Sequence, residues 1–467
     1  MSPIDRRTLL LGLAGGTGLL LTGCAVPSGG RDSGSKAAPA VAGDDPKNPF
    51  GVKTSDRLDV VIFKGGFGDD YAKQVEETYK QAFPGAQVKH SGLQKLQETL
   101  QPRFVSGTPP DVIDNSGAAA LNAVTLQKGG QLLDLKALLD APSVDDPKVR
   151  VRDTLLPGVV ESGTLGDTVA SVNYAYTVTG FWYNQDLFEK NGWVYPKTWD
   201  ELVALCAKIK ASGIAPFTYQ GKFPGYFLEP LMQMMAKTGG AETLAAVDNL
   251  EPGAWQSQPV ADAVGAIEKL VKNGYILQGS EGLSHTEAQQ AWVDGKAALI
   301  PCGSWLENEM KSTTPKGFRM AVGPTPAVTA QDKLPATAIS ASSSEGFIVP
   351  KDAKNTAGGL EFLRLLLSRS AASKFSELTG SMTTVKGAGA NVTNSPALTS
   401  ARKAVEAAGA NTISFRFGGW YGDLYAAGSS AMGELLTGRV DAAEFMKRTQ
   451  AAADKIAKDS NVVKYHR

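Results

Sequence analysis

Residues 58–90 read LDVVIFKGGFGDDYAKQVEETYKQAFPGAQVKH, and the change of period within them decides the fold class. The first six, LDVVIF, are a β-branched run of strand length, broken by Lys64-Gly65-Gly66-Phe67-Gly68. Tyr71, Val75, Tyr79 and Phe83 then recur at helical spacing, so an amphipathic helix follows, with Asp69 or Asp70 as its cap. Pro84-Gly85 ends that helix, and residues 86–90 read as a second strand. Working outward, a helix spans 93–105, Gly107-Thr108-Pro109-Pro110 turns the chain, and residues 111–114 form a third strand. Strands alternating with helices predict an α/β fold with a largely parallel sheet covered on both faces. A ligand in such a fold sits beyond the carboxyl ends of the strands.

The pattern continues downstream. Residues 168–183, TVASVNYAYTVTGFWY, form a long extended stretch. Thr198-Trp199-Asp200-Glu201 is a capping box that opens a helix ending near Ser212-Gly213. Residues 214–219 are strand-like, and a helix follows through Leu228, Leu231, Met232 and Met235. From Ser284, HTEAQQAWVDGKAALI gives a capped helix, a glycine turn and a strand, and Pro301-Cys302-Gly303-Ser304-Trp305 leads into another helix. A strand is expected at 345–350, one helix over 357–378, and a helical tail over 420–457 interrupted at Thr437-Gly438. No internal repeat is visible.

The first residues do not read as fold. Arg6-Arg7-Thr8 precedes a short apolar run that ends in Leu21-Thr22-Gly23-Cys24. A charged start, a dozen apolar residues and small residues before a cut site mark a secretory peptide, too short for a stable span. The paired arginines resemble the twin-arginine export pattern, and Leu-Thr-Gly-Cys resembles a lipobox that would make Cys24 the lipid-carrying amino terminus. Residues 1–23 are therefore expected to be removed, and 24–55, rich in Ala, Gly, Ser and Pro, to form a flexible stalk. The folded part, roughly 410 residues from near Asp56, suffices for two domains. The expected location is the outer face of a bacterial cell membrane, held by lipid alone.

Composition excludes several partners. Of 47 basic and 47 acidic residues, the signal removes Arg6, Arg7 and Asp5, leaving 45 and 46. So balanced a surface argues against nucleic acid or an anionic membrane surface. Three histidines, His90, His285 and His466, form no metal-spaced cluster, and no G-x-S-x-G elbow is present. Gly65-Gly66-Phe67-Gly68 lacks the Gly-Lys-Ser/Thr ending of a phosphate loop and reads as a turn at the cleft edge. No catalytic residue, metal or cofactor is expected. Cys206 and Cys302 are left as either a disulfide or two buried thiols.

The ordered series DVVIF, TPPDVI, VNYAYTVTGFWYN, YPKTWDEL, FTYQ, AQQAWVDGKAALIPCGSW, EGFIVP and GGWYGDLYAAGSSAMGELLTG resembles the extracellular sugar-binding proteins of ABC importers. The resemblance covers essentially everything after Asp56. It implies two α/β lobes joined by crossing strands that close over a sugar, with permease subunits as partners and the protein as a monomer. The lobes are expected at 56–172 with 338–388, and at 173–337 with 389–467. GSWLENEM, HTEAQ and NLEPGAW are most similar to actinobacterial members that bind N-acetylglucosamine and N,N′-diacetylchitobiose. Maltose, cellobiose or xylobiose type ligands are the alternative, and an anchored glycoside hydrolase is the third reading.

Pyranose rings present flat C–H patches that pack on aromatic faces, while their hydroxyls need fixed polar partners. Trp305, after a strand and a Gly-Ser turn, and Trp420 with Tyr421, near Arg416, stand where the family places stacking residues. Gln220 and Tyr226 fall where the family contacts sugar from the second lobe. Asp114 and Asn115, just past a strand end, are expected to contact hydroxyls from the first. Trp199 and Trp292 read as core, while Trp182 and Tyr183 fit either core or cleft.

Overall fold

The structure, a computed structural model, describes residues 45–467. The export signal, Cys24 and most of the expected stalk lie outside these residues. The strands are β1 (Leu58–Phe63), β2 (Val88–Leu93), β3 (Val112–Asp114), the small hairpin β4 (Thr164–Leu165) and β5 (Thr168–Val169), β6 (Val172–Asn184), β7 (Ala215–Phe217), β8 (Ala297–Gly303), β9 (Met320–Gly323), β10 (Ile339–Ile348), β11 (Met382–Thr383) and β12 (Thr412–Ile413). Ten of them share one sheet in the order β2-β1-β3-β10-β6-β8-β7, with β9 and β11 on β6 and β12 on β10.

The sheet is mixed, which corrects the expectation of a largely parallel one. β1 runs parallel to β2 and β3, and β7 parallel to β8. In the middle, β10 is antiparallel to β3 and to β6, and β6 is antiparallel to β8 and β9. The long strand β6 serves both parts of the sheet. Its first part pairs with β10 from Val172↔Phe347 to Thr179↔Ser340, and its last part pairs with β8 and β9. Tyr174 and Ala175 therefore lie in an apolar core with Leu58, Tyr71, Phe347 and Phe375, while Phe181 lies in another with Phe217, Phe227 and Phe417. Two cores strung on shared strands make the chain two-lobed.

Local chemistry sets the element ends. The box at Thr198 forms as expected, and the cap expected at Ser284 is also a box, with Glu201 and Glu287 returning to the cap backbone. Asp69 stands at the cap of Asp70–Ala82 but makes no cap bond. Its carboxylate instead accepts from Lys73 at 2.9 Å and lies 3.1 Å from His90. Burial opposes its charge, yet Lys73 and His90 outweigh burial and hold it down at about 2.

The helix expected over 357–378 is two, Thr356–Leu366 and Arg369–Thr379. Ser368 is extended between them, and its hydroxyl accepts the Ala371 N–H, starting a new helix inside an apolar run. The strand expected at 345–350 begins six residues earlier, because the serines of ISASSSEGFI hide its period while β6 supplies its ladder. The core also begins before Asp56. Phe50 and Val52 are buried among the first-lobe residues, and the Asn48 side chain bonds both backbone groups of Val52. Cys206 and Cys302 are buried free thiols, and Trp182, Trp199 and Trp292 are core.

Candidate functional site

β8 ends at Gly303, and Trp305 follows at the entry to the Leu306–Met310 helix. Its indole packs against residues of two apolar cores, one of them the first-lobe core that holds Phe67. Two glycines make this possible. A side-chain carbon at Gly303 would collide with the six-membered ring, and one at Gly66 would stand 2.9 Å from Trp305 Cβ. Phe67 meets the ring edge-on at 6.5 Å, and Asn308 Nδ2 donates to the Gly66 carbonyl at 2.7 Å. The turn after β1 and the turn after β8 are thus locked together around Trp305.

Tyr226 stands in the first turn of the Gly225–Asp248 helix, its ring 6.0 Å from Trp305 and nearly perpendicular to it. Both residues are half-buried. Gln220, expected beside them, is fully buried. Its Nε2 donates to the Pro301 carbonyl at 2.9 Å, so it braces β8 and does not reach the cleft.

The expected hydroxyl contact through Asp114 is likewise not offered by this arrangement. Asp114 has no exposed surface, and its two oxygens accept from Tyr71 at 2.9 Å and Ser116 at 2.5 Å. It faces the Glu345 carboxyl. Burial raises the Asp114 pKa to about 6 despite the Ser116 and Tyr71 bonds, and Glu345 is pushed up further by burial and by Asp114. Glu345 also has φ +57, a left-handed conformation unusual for a non-glycine residue. Asn115 spends its amide on both backbone groups of Leu121, closing the loop after β3. Asn115, Ser116, Asn173, Ser344 and Glu345 line an open cavity of about 340 Å³ where β3, β6 and β10 meet.

Trp420, Tyr421 and Arg416 form a separate cluster. Fully buried Asp248 accepts from the Arg416 and Phe417 backbone N–H groups at 3.0 and 2.9 Å and pairs with Arg467 at 2.8 Å. That fixes the turn carrying the tryptophan. The Trp420 ring stacks on Tyr465 at 5.5 Å and 25°, with the Arg416 guanidinium 5.9 Å away. Tyr421 is buried, and its hydroxyl accepts the Tyr465 N–H at 2.9 Å. The structure therefore ties Tyr421 to the carboxyl-terminal tail, which also occupies part of the Trp420 ring.

Between the Tyr226 turn and the Trp420 turn lies a second cavity, of about 240 Å³, lined by Glu229, Met232, Phe415, Phe417, Gly419 and Tyr425. Glu229 is three residues after Tyr226 and so shares its helix face. Burial alone acts on its carboxyl, raising the pKa to about 7. Sequence reasoning missed Glu229, Glu345 and Tyr425. The one available signal was a lone acid in the apolar run YFLEPLM.

Residues 65–373 match the bacterial extracellular solute-binding protein family. The chain belongs to that family. It is 36% identical over 468 residues to the diacetylchitobiose binding protein NgcE of Streptomyces coelicolor, covering 99% of this chain and 98% of that one. Its fold is shared with a solved chitin oligosaccharide binding protein (TM-score 0.68, 20% identity, 85% of this chain and 98% of that one). It is shared equally with the solute-binding protein RafE in complex with raffinose (TM-score 0.67, 20% identity, 86% and 99%).

For a solute-binding protein, the arrangement supplies aromatic edges at the lobe junction, polar loop ends beyond β1 and β3, and two cavities. No group of three or more metal-ligating side chains occurs among the described residues, and no helix there is long and apolar enough to cross a membrane.

Proposed function

We propose that this protein captures N-acetylglucosamine or N,N′-diacetylchitobiose in the interlobe cleft and presents it to the permease subunits of an ABC importer, with no reaction of its own. The observation that carries the reading is the 36% identity, end to end, to a protein named for diacetylchitobiose binding. The Trp305–Tyr226 pair, half-buried where the two lobes meet, supports a ligand with flat apolar faces. In this reading the lobes are 56–172 with 338–388 and 173–337 with 389–467, joined through the crossing strands β6 and β10. Sugar contacts from both sides favour the closed form, which the permeases recognise.

Calorimetry against a small panel tests the ligand. N-acetylglucosamine or diacetylchitobiose is expected to bind with micromolar affinity or better, about −8 kcal/mol or stronger. Glucose and cellobiose bind far more weakly, since a site shaped for an amide is left with unpaired polar groups. Equal affinity for glucose and N-acetylglucosamine refutes the N-acetylated ligand and returns the choice to maltose, cellobiose or xylobiose types.

The protein works as a monomer on the outer face of the cell membrane, tethered through lipid on Cys24. Cys24→Ala is expected to yield exported protein in the soluble fraction. Recovery of that variant in salt-washed membranes rules the lipid anchor out. Replacing Arg6 and Arg7 by Lys blocks export if the twin-arginine route is used.

A further inference from the structure

We infer that the cavity between the Tyr226 turn and the Trp420 turn receives the acetamido group of the sugar, with Glu229 accepting its amide N–H. This rests on the N-acetylated ligand proposed above and assigns that ligand's distinguishing group to named residues.

An acetamido group makes three demands: an apolar niche for the methyl, an acceptor for the N–H and a donor for the carbonyl. The cavity meets each. Met232, Phe415 and Phe417 give it apolar walls, Glu229 supplies the acceptor, and the Tyr425 phenol supplies a donor. Its volume of about 240 Å³ exceeds what one water needs.

Location agrees with composition. Glu229 and Tyr226 share one helix face, and Tyr226 touches Trp305, so a ring held at the Trp305–Tyr226 wall would direct a substituent toward Glu229. The far wall is equally fixed. The Tyr425 ring lies over Gly418, where an added carbon would stand 3.1 Å away, and its hydroxyl lies against Gly225.

Glu229 itself is the second observation. Glu229 is part-buried in the cavity wall and its carboxylate makes no hydrogen bond or ion pair among the described residues. Desolvating an unpaired carboxyl is costly, and that burial raises its pKa. A ligand N–H relieves that cost. An ammonium group would also suit a carboxylate among aromatics, but it would leave the apolar walls without a methyl to cover.

The test is calorimetry of the full chain with N,N′-diacetylchitobiose and with its de-N-acetylated form, chitobiose, on wild type, Glu229→Ala, Glu229→Gln and Gly419→Leu. Gly419 borders the cavity and is exposed, with no atom within 4 Å of an added carbon, so a larger side chain there crowds the cavity mouth without a clash in the fold. Glu229→Ala and Gly419→Leu are each expected to weaken diacetylchitobiose binding at least tenfold with no fall in melting temperature. Glu229→Gln, whose carbonyl can still accept, loses less.

The acetyl methyl proton signal of bound sugar is expected to move upfield beside the Phe415 ring and to move back in Phe415→Leu. Wild-type affinity retained in both Glu229→Ala and Gly419→Leu overturns this assignment while leaving the ligand intact. Chitobiose binding more tightly than diacetylchitobiose overturns it in favour of an ammonium site. A wild type that binds no N-acetylated sugar removes the ligand reading and this assignment together.

Discussion

Trp305→Ala is expected to weaken sugar binding by about thirty- to a hundred-fold. A stacked aromatic contributes about 0.5–1.5 kcal/mol beyond its area, and the apolar area lost on truncation brings the total to about 2–3 kcal/mol. A tryptophan solvated in an open cleft would leave stability nearly untouched on truncation. The structure changes that expectation. Trp305 packs on residues of two cores and against Gly66 and Gly303, so truncation opens space at the lobe junction. Fully buried tryptophans cost about 3–5 kcal/mol on truncation, and a half-buried one costs about 1–3.

Trp305→Phe separates the two effects, since it keeps a ring on the glycine seat and most of the packing. It is expected to retain the melting temperature to within a few degrees and to lose less than about tenfold in affinity. Trp420→Ala is the milder binding loss, because Tyr465 already covers part of that ring. Calorimetry with thermal unfolding on each variant checks all three. A Trp305→Ala protein that melts early yet binds sugar normally would make Trp305 a packing residue only.

The residues that sequence reading placed well are those whose role is written in their neighbours. Gly-Ser-Trp after a buried strand puts an aromatic at a strand exit, and the structure has Trp305 there, its ring 6.0 Å from that of Tyr226. Strand β1 and the two capping boxes were legible because period and cap chemistry are local. Asp114 was harder. Successive strand residues point to opposite faces, and position at a strand end does not say which face meets ligand. Here the face is the one holding Tyr71, and the carboxyl is consumed inside the lobe.

Gln220 is held by a partner distant in sequence, the backbone of β8, which no local pattern shows. Tyr421 depends on Tyr465 and Arg416 on the turn held by Asp248, contacts between segments distant in sequence that no spacing rule reveals. Glu229 was invisible because its significance lies in Phe415, Phe417 and Tyr425, brought to it only by the packing of two distant helices.

Lys237 gives the other large expected effect, on the dependence of stability on pH. It lies in the Gly225–Asp248 helix with no exposed surface, and its ammonium group donates to the Thr325 and Ala336 carbonyls. Its own carbonyl accepts from Lys333 at 2.7 Å and Leu334 at 3.2 Å. The connection from β9 to β10 is thereby strapped to the helix that carries Tyr226 and Glu229, just before the chain enters a crossing strand. The groups facing Lys237 are those two carbonyls and the more distant Asp332 carboxylate, whose charge only partly offsets burial, and the pKa falls to about 7.

An unfolded lysine titrates near 10.4, so between about pH 7 and 10.4 the unfolded chain holds one proton more than the folded one. Unfolding free energy therefore rises with pH through that window. Below it both states are protonated, and the folded protein bears the full cost of a buried charge. The gap corresponds to roughly 3–5 kcal/mol. Lys237→Met removes the titration while keeping the volume, at the loss of two donors. Relative to that variant, wild type is expected to gain about 3–5 kcal/mol of stability between pH 6 and pH 10.5, measured by urea unfolding at each pH. A difference that stays constant across the series would mean that Lys237 titrates as an ordinary surface lysine and that the strap does not depend on a desolvated amine.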